Sequence, residues 1–82
     1  MPPITKILMN VLSGVKDSNI AFSDLQKLLA HLGFQLRIKG SHHIYWKDDI
    51  EEIINIQSDG GKAKAYQVKQ IRNVILKYKL DF

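Results

Sequence analysis

The sequence predicts an α+β fold, a three-stranded antiparallel sheet with helices packed on one face. Three observations carry that expectation. Apolar residues recur at helical spacing in two stretches before residue 34 and in one after residue 65. Residues 34–39 alternate apolar and polar side chains with a period of two, the mark of a half-buried strand. Two more runs rich in branched and aromatic residues follow, set apart by Gly40-Ser41 and by the acidic Asp48-Asp49, which read as turns. A meander of this size cannot bury its apolar side alone, so the helices must cover it.

The first helix lies in "ITKILMNVLSG". Ile4, Ile7, Leu8, Val11, Leu12 and Val15 form one stripe. Pro2 and Pro3 stand at or before its first turn, where a missing N–H costs nothing. "SGVKDSN" then breaks the pattern and reads as a connection. The second helix is "FSDLQKLLAHLGF", with Leu25, Leu28, Leu29 and Leu32 on its apolar face. Ser23 and Gln26 have the spacing of a capping box. Gly33 is a natural stop, and His31 lies off the apolar stripe, toward solvent.

In the first strand Phe34, Leu36 and Ile38 alternate with Gln35, Arg37 and Lys39. Gly40-Ser41 suits a tight turn with glycine at its first central position. "HHIYWK" is the partner strand. "EIINIQ" is the third, with Ile54 and Ile56 on one face and Ile53 on the other. "SDGGKAKA" reads as a flexible, basic connection. "YQVKQIRNVILKYKL" closes the chain as a helix whose inward face is Val68, Ile71, Val74, Ile75 and Tyr78, with Lys69, Asn73 and Lys77 on the far side. The order is α-α-β-β-β-α, with strands side by side as 1-2-3; a sheet with one helix before it and one after it is also the outline of a double-stranded-RNA-binding domain, an analogy of layout that implies no function by itself. The expected core gathers Leu25, Leu28, Leu29, Leu32, Phe34, Ile54, Ile71 and Ile75.

At 82 residues the chain makes one domain, residues 1–82, with 1–20 as an additional N-terminal helix and connection. There is no cysteine, so disulfides and thiolate metal sites are excluded. No apolar run approaches the ~20 residues of a membrane span, and no signal-peptide pattern opens the chain, which makes cytoplasmic location the default expectation. The net charge is +4, and it is unevenly spread. Lys62, Lys64, Lys69, Arg72, Lys77 and Lys79 face a single acid, Asp81, in the last segment, while Asp48, Asp49, Glu51 and Glu52 cluster earlier. A basic segment of this kind fits a polyanion, nucleic acid first among them; it also fits a solvated helix face.

The chemistry-bearing stretch is "KGSHHIYW". Neighbours on a strand point to opposite faces, so His42 and His43 cannot serve one metal or one substrate atom. Neither a zinc ligand set nor a catalytic triad nor a phosphate-binding glycine loop can be assembled, and no metal or other cofactor is expected. One imidazole remains for acid–base work. Such a group exchanges protons near neutral pH. It can take the proton of a ribose 2′-OH while lysines stabilise the charge growing on phosphate. Alternation alone does not choose between the two histidines. If Ile44 and Trp46 are core residues, His42 leans inward with them.

The run from Phe22 to Trp46 resembles the HicA toxins of prokaryotic toxin–antitoxin pairs. It has a helix ending in Leu32-Gly33-Phe34, then a short strand leading to Gly40-Ser41-His42 and the aromatic strand of Ile44-Tyr45. The likeness continues through "INIQSDGGKAKAYQVKQIRNVI" and covers about residues 20–78. It implies a double-stranded-RNA-binding-like fold, ribosome-independent mRNA cleavage, which the residues above would have to perform without a metal, and inhibition by a HicB antitoxin. It also implies His42, directly after Gly-Ser, as the catalytic histidine. Lys39, Ser41, Lys62, Lys64 and Lys69 are the expected RNA contacts around it. The competing expectations are a non-catalytic RNA-binding module and a basic protein whose lysines meet an acidic partner.

Overall fold

The structure, a computed structural model, describes residues 3–80. Pro2 lies outside them. The elements are α1 (Ile4–Ser13), a 3-10 turn (Asp17–Asn19), α2 (Phe22–His31), β1 (Gln35–Lys39), β2 (His42–Lys47), β3 (Ile50–Ile56), β4 (Ser58–Asp59), β5 (Lys62–Ala63) and α3 (Ala65–Tyr78). β1, β2 and β3 form the expected antiparallel sheet in the order 1-2-3. No helix among the described residues is long and apolar enough to cross a membrane.

One face of the sheet carries Leu36, Ile38, His43, Tyr45, Ile54 and Ile56, because Leu36 pairs with Tyr45, Tyr45 with Ile54, and His43 with Ile56. Tyr45, Ile54 and Ile56 of that face are buried in one core with Ile7 and Val11 of α1, four residues of α2, and Val68, Ile71, Val74 and Ile75 of α3. All eight residues expected in the core are there. The other face, with His42, Ile44, Trp46, Ile53 and Asn55, has no buried residue. Across from Trp46 the register shifts, so that three residues of β3 face one of β2. Leu36 and Ile38 remain exposed because β1 is the sheet's outer edge.

Two local expectations are corrected. Helix α2 starts at Phe22 with Ala21 as its N-cap and no side-chain cap, so Ser23 and Gln26 form no capping box. Gln26 instead hydrogen-bonds the buried Tyr45 hydroxyl, whose titration is nonetheless pushed up by burial. Residues 58–63 are not a free connection but a small hairpin. Its backbone is stitched to the start of α2: Phe22 N–H donates to Gly61 C=O at 3.0 Å, and Ala63 N–H to Ile20 C=O at 2.9 Å. Gly60 and Gly61, both at positive φ, make that two-residue hairpin turn accessible.

Helix α3 runs along the outer edge of β3. Gln67 Oε1 accepts from Gln57 N–H at 3.3 Å, Gln70 Nε2 donates to Ile53 C=O at 3.4 Å, and Tyr78 Oη accepts from Glu51 N–H at 3.4 Å. Residues 67, 70 and 78 share one helix face, which is how a helix can satisfy an edge that would otherwise offer open backbone groups.

Candidate functional site

The β1–β2 turn sets the site. Gly40 sits at φ +61°, the value that the first central position of a two-residue hairpin turn demands, and Lys39 then pairs with His42 across it. The pleat separates the two histidines. His43 points inward, half-buried, its ring edge-on against Phe22 with centroids 5.0 Å apart at 81°. Its Nδ1 is buried with no hydrogen-bond partner among the described residues. His42 points to the open face and is exposed. Tyr45, not Trp46, is the aromatic that fills the core, and this puts His42 outside.

His42 Nδ1 lies 3.2 Å from Asn55 Oδ1 on β3. The neighbouring Ser41 Oγ accepts from Gln57 Nε2 at 3.0 Å, which ties the turn to the end of β3. Because α3 is held against that same edge, its first turns complete a cleft of about 300 Å³. β3 contributes Ile53, Asn55 and Gln57, α3 contributes Tyr66, Gln67 and Gln70, and β2 contributes His42. Among these, His42 is the single ionisable side chain apart from the Tyr66 phenol.

The expected site residues converge only in part. Lys39, Ser41 and His42 meet at the hairpin end. The β3 end that pairs with this region, through His43 and Ile56, leads straight into the β4–β5 hairpin and α3, so Lys62 and Lys64 belong to the same end of the sheet. Lys69 is exposed on α3. None of the four lysines lines the cleft, and none makes a salt bridge among the described residues. Other cations of the basic segment are engaged. Arg72 Nη1 donates to both carboxylate oxygens of Asp17, at 2.8 and 3.0 Å, and to Val11 C=O at 3.1 Å. Lys77 Nζ donates to Glu52 Oε2 at 3.0 Å.

Asn55, Gln57, Tyr66 and Gln70 were not singled out from the sequence. Alternation did put Asn55 on the face opposite Ile54 and Ile56, but its meeting with His42 needs the strand register, and the α3 residues need the docking of the helix.

Fold and cleft together define a small α+β protein of double-stranded-RNA-binding-domain layout that offers one imidazole on its open sheet face. The family model described as the HicA toxin of bacterial toxin–antitoxin systems matches residues 22–78, more than half of the chain, and the chain belongs to that family. The match takes in α2, the sheet and α3 and leaves α1 outside it. Comparisons with curated proteins and with solved structures gave no match.

Proposed function

We propose that this HicA-family toxin is a metal-independent endoribonuclease that cleaves mRNA in the cytoplasm, with His42 as its acid–base group, and that a HicB-type antitoxin neutralises it. The observation that carries the proposal is the contact of His42 Nδ1 with Asn55 Oδ1 on the open face. An amide oxygen only accepts, so this bond puts the ring proton on Nδ1 and leaves the lone pair on Nε2. That nitrogen takes the proton of a ribose 2′-OH. The 2′-oxygen attacks the adjacent phosphorus, the bond from phosphorus to the 5′-oxygen breaks, and the proton held by the imidazolium passes through a water to the leaving oxygen, which restores the neutral ring. The products are a 2′,3′-cyclic phosphate and a 5′-hydroxyl.

Charge growing on the phosphate falls at the end of the sheet where Lys39, Lys62 and Lys64 carry positive charge without ion-pair partners among the described residues. The N-terminus of α3, which has no side-chain cap, adds positive potential there. Ser41 holds the turn through Gln57, and Lys69 extends the basic surface along α3. In this reading residues 1–82 act as one unit, since α1 shares the core of the rest.

The test is cleavage of RNA by purified protein with and without EDTA, compared with His42→Ala. Expected is cleavage that EDTA leaves unchanged and that His42→Ala abolishes, with RNA binding kept. Binding without any cleavage by the wild type would instead favour a non-catalytic RNA-binding module. Neither cleavage nor binding of RNA would favour a basic protein with an acidic partner.

A further inference from the structure

The cleft beside His42 is chemically unlike the surface around it. The hairpin end and α3 are rich in lysine, yet no lysine or arginine lines the cleft. Beside His42 its walls carry three kinds of group: side-chain amides from Asn55, Gln57, Gln67 and Gln70, the branched chain of Ile53, and the ring of Tyr66, which is 66% exposed. Amides without charge are poor partners for phosphate. They match the edges of a nucleobase, and an exposed ring offers its face for stacking.

Each amide is half-committed. Gln57 uses Nε2 on Ser41, Gln67 uses Oε1 on Gln57 N–H, Gln70 uses Nε2 on Ile53 C=O, and Asn55 uses Oδ1 on His42. Held at one end, they are fixed in orientation and keep the other end for a ligand. The volume, about 300 Å³, holds on the order of ten water-sized groups, the size of a single base.

We infer that this cleft is a nucleobase subsite, which receives the base of the nucleotide whose 2′-OH His42 deprotonates. The inference rests on the ribonuclease reading. The covalent geometry of a nucleotide supports it, because the base and the 2′-oxygen hang from adjacent ribose carbons. A 2′-OH presented to His42 therefore brings its own base to the neighbouring wall, while the phosphate is left to the lysines outside. A base seated there cannot stay stacked and paired in a duplex. The substrate is thus single-stranded RNA, or a loop, and not the regular helix that the fold's layout would suggest.

The experiment uses Tyr66, which is exposed at the start of α3 and has no part in the core. Full-length His42→Ala protein, unable to cut, is titrated with a short single-stranded RNA spanning a cleavage position mapped with the wild type. The same RNA lacking the base 5′ to the scissile bond, and the same RNA annealed to its complement, are the comparison probes. Adding Tyr66→Ala to that protein is expected to weaken binding of the intact single strand by about 10- to 100-fold, and Tyr66→Phe to restore it. The base-free RNA should bind as weakly as the Tyr66→Ala pair does, with no further loss when both changes are combined, and the duplex should show no dependence on Tyr66. Intact-strand binding within twofold of the parent in Tyr66→Ala, or equal losses for intact and base-free RNA, would overturn the subsite. In both cases the ribonuclease reading would stand as long as His42→Ala alone abolishes cutting. A wild-type protein that cuts no RNA overturns both.

Discussion

At His42 the acceptor facing Nδ1 is the amide oxygen of Asn55, and two substitutions there separate orientation from chemistry. Asn55→Ala removes one hydrogen bond of ordinary strength, about 0.5–1.5 kcal/mol, so cleavage should fall by roughly 2- to 10-fold. Asn55→Asp keeps an acceptor and adds a negative charge that favours the imidazolium, so the pH–rate limb should move to higher pH. A limb that stays put in Asn55→Asp shows that this contact does not touch the group doing the chemistry. The choice between His42 and His43 was only partly legible in the sequence. The Gly-Ser-His resemblance pointed to His42, while Ile44 and Trp46, taken as core residues, pointed the other way. What decided the faces was Tyr45, whose ring is buried with its hydroxyl bonded to Gln26. Either aromatic of the Tyr45-Trp46 pair is apolar enough to fill a core, so alternation had no means of ranking them.

The elements themselves were more legible, because long apolar stripes report burial directly. Leu29 is fully buried in α2, and Leu29→Ala should cost ~2–5 kcal/mol, a large part of the stability of so small a domain. Chemical denaturation would read it, and an unchanged midpoint would make α2 peripheral. Arg72 looked like one more cation of a polyanion-binding helix, yet it is spent on Asp17 and Val11 and ties α3 to the connection after α1. Sequence gives no sign of such a contact between residues so far apart. Arg72→Ala should therefore lower stability by about 2 kcal/mol, the scale of a charged hydrogen bond, and leave the salt dependence of RNA binding alone. The β4–β5 hairpin leaves no mark in the sequence because strands of two residues carry no period, and the capping box does not form because Gln26 has a buried partner elsewhere. At the far end of α3, the Tyr78 hydroxyl, and then Lys77, hold the Glu52 carboxyl below its ordinary range. A depressed carboxylate stabilises the fold above the unfolded value of ~4.3 and loses that contribution as pH falls through the folded one. Glu52→Gln should therefore lower the melting temperature slightly at pH 7, with the gap closing in acid.

For the molecule as a whole, charge and chemistry are divided between two surfaces at one end of the sheet. In the proposed reading the lysines of the hairpins and α3 supply attraction without sequence preference, and the uncharged cleft beside His42 supplies discrimination. Removing Lys62 and Lys64 together should weaken RNA binding evenly across sequences and flatten its salt dependence by about one unit on logarithmic axes. An unchanged slope would remove the β4–β5 hairpin from the RNA surface. The uneven spread of the +4 net charge made a polyanion partner one expectation and a solvated helix face the other. The division into two surfaces was not legible in the sequence, since it depends on α3 lying against the β3 edge. The most direct measurement is the rate of RNA cleavage by folded His42→Ala and His43→Ala proteins, with circular dichroism as the check on folding. The account predicts no cleavage above background for His42→Ala and, wherever His43→Ala folds, a rate near that of the wild type. Folded His42→Ala protein that cuts RNA at the wild-type rate would contradict it.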